Sequence, residues 1–192
     1  MKAMPWALAP ALMLGGCISL TPDPPDQLLT LTPAAMLPTG AEASGSPVEA
    51  LAVAVPAAPQ RLNVARVPVS TSDSALAYLV DAVWVERPAI LFRRVLAETI
   101  RARGARMVVE SGELEYAAAT VLGGELTEMG YDAGSASVVV RYDAVLTLPD
   151  GTIRTRRFEQ REAGVEAEAE AVGAALNRTA NSLAAEVADW VG

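Results

Sequence analysis

Apolar positions along this chain change period several times, and each change marks an element. "LAVAV", Leu51 to Val55, alternates strictly and predicts a β-strand. "QLLTLT", Gln27 to Thr32, alternates weakly with β-forming residues and predicts an earlier first strand. Between them, Pro33 to Pro47 is rich in Pro, Ala, Gly and Ser, the composition of a loop. Val64, Val67 and Val69 suggest a strand edge, and Pro68 argues against a central place for it. Ala75 to Val85 predicts a further strand ending at Trp84. The period then lengthens. Ile90, Leu91, Val95, Leu96 and Ile100 follow three-and-four spacing, with arginines between them. That predicts a helix over Pro88–Arg103, with proline tolerated in the first turn and Gly104 as the stop.

The second half returns to a period of two. "RMVVE" is a short strand, and "ATVLGGELTEMGYD" is a longer one in which Gly123 and Gly124 imply a bulge or a close backbone approach. Val138, Val140, Tyr142, Ala144, Leu146 and Leu148 alternate up to Pro149-Asp150-Gly151, a tight-turn signature. "TIRTRRFEQRE" then returns as the second arm of a hairpin. Val165, Val172, Leu176, Thr179, Leu183, Val187 and Trp190 recur at helical steps and predict a closing helix. Glu166, Glu168 and Glu170 cluster at its start, where carboxylates favour the helix dipole. The expected fold class is α+β, a two-layer domain with a mixed, mostly antiparallel sheet packed against two helices.

Composition narrows what such a domain can do. The chain has 192 residues and a net charge of −8, which disfavours nucleic acid as a partner, because phosphate binding needs a basic footprint. It contains no histidine, one cysteine and a single lysine, Lys2. Serine–histidine, cysteine–histidine and lysine Schiff-base mechanisms are therefore excluded or nearly so, and no Cys/His metal cluster exists. No cofactor is implied. Only carboxylate chemistry is left for an enzyme, and none is expected. Glu110, Glu113, Glu115, Glu125 and Glu128 are the candidates, set against a simpler reading as solvated charges. "VLGGE" lacks the lysine and glycine spacing of a phosphate loop.

The lone cysteine has a distinctive setting. Lys2 gives a positive start, Trp6 to Leu14 is an apolar run broken by Pro10, and Leu14-Gly15-Gly16-Cys17 follows. The run is too short to span a bilayer, which takes about 20 apolar residues, and has the length of a secretory core. These residues resemble a bacterial lipoprotein signal, matching the lipobox at all four positions. The resemblance implies cleavage between Gly16 and Cys17, a diacylglycerol thioether on Cys17, and acylation of the new amine by a fatty acid such as palmitate. Ile18 stands where aspartate is the usual inner-membrane retention signal, so the expected location is the periplasmic face of the outer membrane. "TPDPPD", Thr21 to Asp26, is an extended tether. The division expected is a signal peptide over 1–16, a lipidated tether over 17–26 and one domain over 27–192.

The whole order resembles the ABC-type transport auxiliary lipoproteins, the PqiC-like family. The residues that carry the resemblance are the lipobox, the strand at Gln27–Thr32, the stretch from Leu62 and Val64 through Tyr78 to Val83-Trp84-Val85-Glu86, the hairpin at Pro149-Asp150-Gly151, and the final helix ending in Asp189-Trp190. Val83 stands where the family usually has arginine, and Val85 where it has alanine. The resemblance implies an auxiliary component of an ABC system with an MCE-type periplasmic protein, a permease and an ATPase, associated with phospholipids or other hydrophobic molecules. Members of the family form rings, so the resemblance also allows a homo-oligomeric ring. The alternative is a lipoprotein regulator or assembly factor of a cell-envelope complex, such as a cell-wall synthase activator.

Three side chains are candidate contacts with a partner or with lipid. Trp84 either caps the first helix against the sheet, the favoured reading, or meets a partner. Arg154 and Arg156 share one strand face, with Ile153 and Arg157 on the other. They suit anionic head groups or an acidic partner, or else a solvated face with cross-strand partners such as Asp143.

Overall fold

A computed structural model describes residues 27–104, 107–110 and 117–192. The signal, the lipobox and the tether lie outside the described residues, as do Glu113 and Glu115. Among the described residues seven strands form one mixed sheet: β1 (Leu51–Val53), β2 (Arg66–Ser72), β3 (Ala75–Val83), β4 (Val108–Val109), β5 (Thr120–Asp132), β6 (Ser137–Thr147) and β7 (Ile153–Ala163). Two α-helices of the described residues, α1 (Pro88–Ala102) and α2 (Ala169–Val191), pack on one face of it and on each other. The α+β two-layer expectation holds.

β5 is the spine of the sheet. One side pairs along its length with β6, and β6 pairs in turn with β7, all antiparallel. The other side is shared: β1 pairs parallel with Thr120–Leu122, Ala57 bridges Glu125, and β2 pairs parallel with Tyr131 and Asp132. β3 and β4 flank β2 and β1. The helix-facing parity of β5 changes midway. Leu122 and Leu126 enter the core, then Met129 and Tyr131 do, because the register shifts between Leu126 and Glu128. One extra residue, Thr127, absorbs the shift, and Arg61 Nη2 donates to its carbonyl at 2.6 Å. The bulge is thus three residues beyond the glycine pair. Gly124 provides the close approach instead: at φ +129° it lies where a Cβ would run into the Asp143 carbonyl.

Two expectations are corrected. β2 is an interior strand despite Pro68. Pro68 faces Gly130, where a Cβ would come within 2.5 Å of the Pro68 carbonyl oxygen, and the β2–β5 ladder begins one residue later, at Val69. The missing proline N–H therefore breaks no rung, and the missing glycine side chain makes room. The Gln27–Thr32 segment is not a strand of the sheet. It makes one bridge, Leu29 to Trp84, and then leaves across the helices.

The core lies between sheet and helices. Val138, Val140, Tyr142, Ala144 and Leu146 alternate inward from β6, as their spacing predicts. α1 contributes Leu91, Val95, Leu96 and Ile100, together with Phe92, whose ring meets Tyr142 edge-on at 5.3 Å. α2 contributes Val172, Leu176, Thr179, Leu183 and Val187. Val165, though buried, precedes the helix. β1 is buried on both faces, as expected of a strand between two parallel neighbours: Leu51 and Val53 join the main core, while Ala52 packs with Ala50 and Val109 on the far side. That far face also carries ion pairs, with Arg141 pairing with Glu128 and Glu159, and Arg157 with Asp143.

Candidate functional site

Two surfaces are the candidates: the entry of the chain into the domain, and the outer edge of β7 where it meets the end of α2.

The entry segment is held by side chains as well as by backbone. Leu29 N–H donates to the Val83 carbonyl at 2.7 Å, and Val85 N–H returns a bond to the Leu29 carbonyl at 2.9 Å. The Leu29 side chain settles over Gly173 of α2, where a Cβ would lie 2.6 Å from Leu29 Cδ2. Leu31 is buried beyond it. Two asparagines one helical turn apart then receive the backbone. Thr32 N–H donates to Asn177 Oδ1 at 2.8 Å and Ala34 N–H to Asn181 Oδ1 at 2.7 Å, while Asn181 Nδ2 donates to the Thr32 carbonyl at 2.9 Å. α2 thus offers the segment the donors and acceptors that a neighbouring strand would offer. Finally, Leu37 N–H donates to Glu98 Oε1 of α1 at 3.0 Å. Burial pushes the Glu98 carboxyl up, but the bonds from Leu37 and Arg101 outweigh it and hold the group below its ordinary value. Gly173, Asn177, Asn181 and Glu98 were not singled out in the sequence. The available signal was a pair of asparagines four residues apart, in a helix whose other uncharged polar side chains are Thr179 and Ser182.

Trp84 lies beneath this entry. It is 1% exposed and belongs to the main core, so its burial supports the capping reading and offers no surface to a partner.

At the other end of α2, Arg154 and Arg156 are exposed on the helix-bearing side of β7, on the same face, as the alternation predicts. The Arg154 guanidinium stacks 5.0 Å from the Trp190 ring centroid and that of Arg156 4.7 Å from Phe158, and the two rings meet edge-on at 5.7 Å. Arg154 Nη2 also donates to the Trp190 carbonyl at 3.4 Å, at the negative end of the helix. Among the described residues, neither arginine lies within ion-pair distance of a carboxylate. Their neighbours on the strand differ: Arg157 forms a bidentate pair with Asp143, and Arg161 reaches Asp132. Arg157 holds the Asp143 carboxyl below its usual value.

The carboxylates weighed as catalytic candidates are dispersed. Glu110 binds Arg101 at 2.8 Å, Glu128 binds Arg141 at 2.7 Å, and Glu125 is exposed. Among the described residues no cluster of metal-ligating side chains occurs, and no helix is long and apolar enough to cross a membrane.

The family model for the ABC-type transport auxiliary lipoprotein component matches residues 29–188. The chain belongs to this family. The match begins at Leu29, the residue that enters the Gly173 notch, so the helix-strapped entry segment falls inside the family's domain. A crystal structure of a protein from Xanthomonas campestris superposes with a TM-score of 0.63 at 18% identity, covering 87% of this chain and 92% of that one. A second crystal structure, of an uncharacterized protein, gives a TM-score of 0.68 at 16% identity over 86% and 97% of the two chains. These likenesses show the fold. A PelC dodecamer from Paraburkholderia phytofirmans is more distant, with a TM-score of 0.44 at 21% identity over 78% of this chain and 92% of that one. No curated protein sequence matches the chain significantly.

Proposed function

We propose that this chain is a periplasmic lipoprotein, anchored in the outer membrane through acylated Cys17, that serves as the auxiliary component of an MCE-type ABC system. The cargo class is phospholipid or another hydrophobic molecule passing between the membranes. Membership of the transport auxiliary lipoprotein family carries this reading. The lipobox at Leu14-Gly15-Gly16-Cys17 supports the anchor: one acyl chain binds a bilayer marginally, and two or three bind it essentially permanently. The chain acts by binding, with no chemistry of its own, and it works as several copies of itself.

Capture tests the reading. The full-length, membrane-embedded chain is cross-linked, solubilised and recovered by an affinity tag. An MCE-type protein with its permease and ATPase is the expected yield. Recovery of a cell-wall synthase in their place would overturn the reading in favour of an envelope regulator.

A further inference from the structure

Large apolar side chains left in solvent gather where the chain enters the domain. Among the described residues eight are exposed, and four of these, Leu28, Leu76, Val80 and Val85, lie on the entry segment, on β3 and just beyond it. They share one face of the sheet. Val67, Val69, Ala82 and Trp84 enter the main core and Leu79 packs against it, so alternation turns Tyr78, Val80, Val83 and Val85 to the side that bears no helix. Ser70 turns there after Val69, and its register partner is Leu76. Leu29 bridges Trp84 and sends its side chain to Gly173 on the helix side, which leaves Leu28 on the other side, beside Val83 and Val85. Val80 is the most exposed of the four, at 73%. It lies in a wide bulge, where Leu79 to Ala82 stand opposite Val67 alone and Asp81 takes a left-handed φ of 58°.

The strip is a face and not an open edge, because Leu29 already pairs with the backbone of Val83 and Val85. It is also small. Four partly exposed aliphatic side chains present on the order of a few hundred Å². A stable protein interface buries roughly 800 Å² on each partner. The charges along the strip balance: Arg66, stacked 4.8 Å from the Tyr78 ring, and Arg87 offset Asp73 and Asp81, while Glu86 pairs with Arg94. No excess of one sign therefore selects a protein partner. What the strip does have is position. Leu28 follows Cys17 by eleven residues, so the chain keeps it within roughly 40 Å of that sulfur even when fully extended. A weak apolar contact suffices for a surface held that close, because the tether has already brought the two together.

We infer that this strip rests on the bilayer that holds the acyl chains of Cys17, with Leu28, Val80 and Val85 dipping into it and Tyr78 and Arg66 at the level of the headgroups. The occupant is lipid and not a second protein. A membrane interface is where a tyrosine ring, and an arginine with an apolar stem and a charged tip, both find suitable surroundings. The acyl chains retain the protein, and the strip sets which way the domain faces. This rests on the proposal that Cys17 is acylated, and adds the surface that meets the lipid.

Single fluorescent labels test the contact in the full-length, acylated chain, reconstituted in vesicles of phosphatidylethanolamine and phosphatidylglycerol. Once Cys17 is acylated, a new cysteine is the chain's one free thiol. A bimane on Val80→Cys or Val85→Cys should be quenched by nitroxide-bearing lipid about threefold more than one on Thr155→Cys, an exposed position of β7. Leu28→Asp added to either labelled chain should remove that difference, and circular dichroism should stay unchanged because the position is exposed. Raising the salt should preserve the difference, since the charges along the strip balance. Equal quenching at all three positions, with the acyl chains present, overturns the strip and leaves the anchor standing. A blue-shifted label that the lipid nitroxide does not quench marks cover by protein, whether a second copy or a transport partner, and overturns lipid as the occupant. A parent chain that carries no acyl group and leaves the vesicles overturns the anchor and the strip together.

Discussion

Asn181 donates its side-chain amide to the carbonyl of Thr32 at 2.9 Å, across 149 residues of sequence. The same amide accepts from Ala34 N–H, so one side chain satisfies two backbone groups of a segment that belongs to no sheet. Asn181→Ala removes both bonds. At about 0.5–1.5 kcal/mol net for each, the local cost is about 1–3 kcal/mol. Amide hydrogen exchange at Ala34 should quicken by one to two orders of magnitude while β5 and β6 stay protected. Unchanged exchange there would mean that the segment is held by other contacts.

Gly173 sets a helix preference against a packing requirement. Alanine in place of glycine inside a helix gains roughly 0.5–1 kcal/mol, but here its methyl group would meet Leu29 Cδ2. Leu29 is a flexible end, so Gly173→Ala should be close to neutral. Gly173→Val adds more bulk than the notch holds and should cost about 1–3 kcal/mol. Thermal melting of the two variants decides the matter, and a valine variant as stable as the parent would show that Leu29 can leave freely.

Acid should loosen the tie to α1. The Glu98 carboxyl is lowered in the folded chain, so its contribution is fully present above the unfolded-state carboxyl value and is lost as pH falls through the lower folded value. Melting temperature or exchange at Leu37 should therefore fall on acidification below the ordinary glutamate range. Glu98→Gln should remove that part of the pH dependence, and the same slope in parent and variant would rule the tie out as its source.

Leu183 is fully buried between α2 and the sheet. Leu183→Ala should cost about 2–5 kcal/mol through lost transfer energy and the cavity left behind. Leu183→Asp should abolish cooperative folding, because a lone carboxylate in that position has no partner. Urea denaturation measures the first and circular dichroism the second. A stable aspartate variant would refute the helix face inferred from the repeat.

Replacing Cys17 with alanine should leave the domain folded and release it from the membrane. Fractionation with a fatty-acid label reads both, and an unlabelled parent chain would remove the anchor.

Elements whose residues pack with near neighbours in sequence were legible. The helical faces of α1 and α2 and the β6–β7 hairpin follow from periodicity and one turn, and Arg154 and Arg156 fall on the predicted face. The failures share a physical origin in distant partners. Pro68 looked unfit for an interior strand because nothing near it in sequence announces that its neighbour is Gly130. The glycine pair at 123 and 124 left a bulge and a close approach open; Gly124 makes the close approach, whereas the extra residue is Thr127, where distant Arg61 takes the freed carbonyl. Gln27–Thr32 has the composition of a strand and the hydrogen bonding of one, but two asparagines on a helix stand in for the neighbouring strand. Alternation records that a segment is extended, not what it lies beside.

α2 also works as a ruler. Leu29 meets it at Gly173, and Arg154 meets it at Trp190. At 1.5 Å per residue, those points are roughly 25 Å apart along the axis. A straight helix holds that interval where a loop would not. The point where the chain enters the domain and the Arg154–Trp190 stack therefore keep one spacing in every conformation that leaves α2 intact.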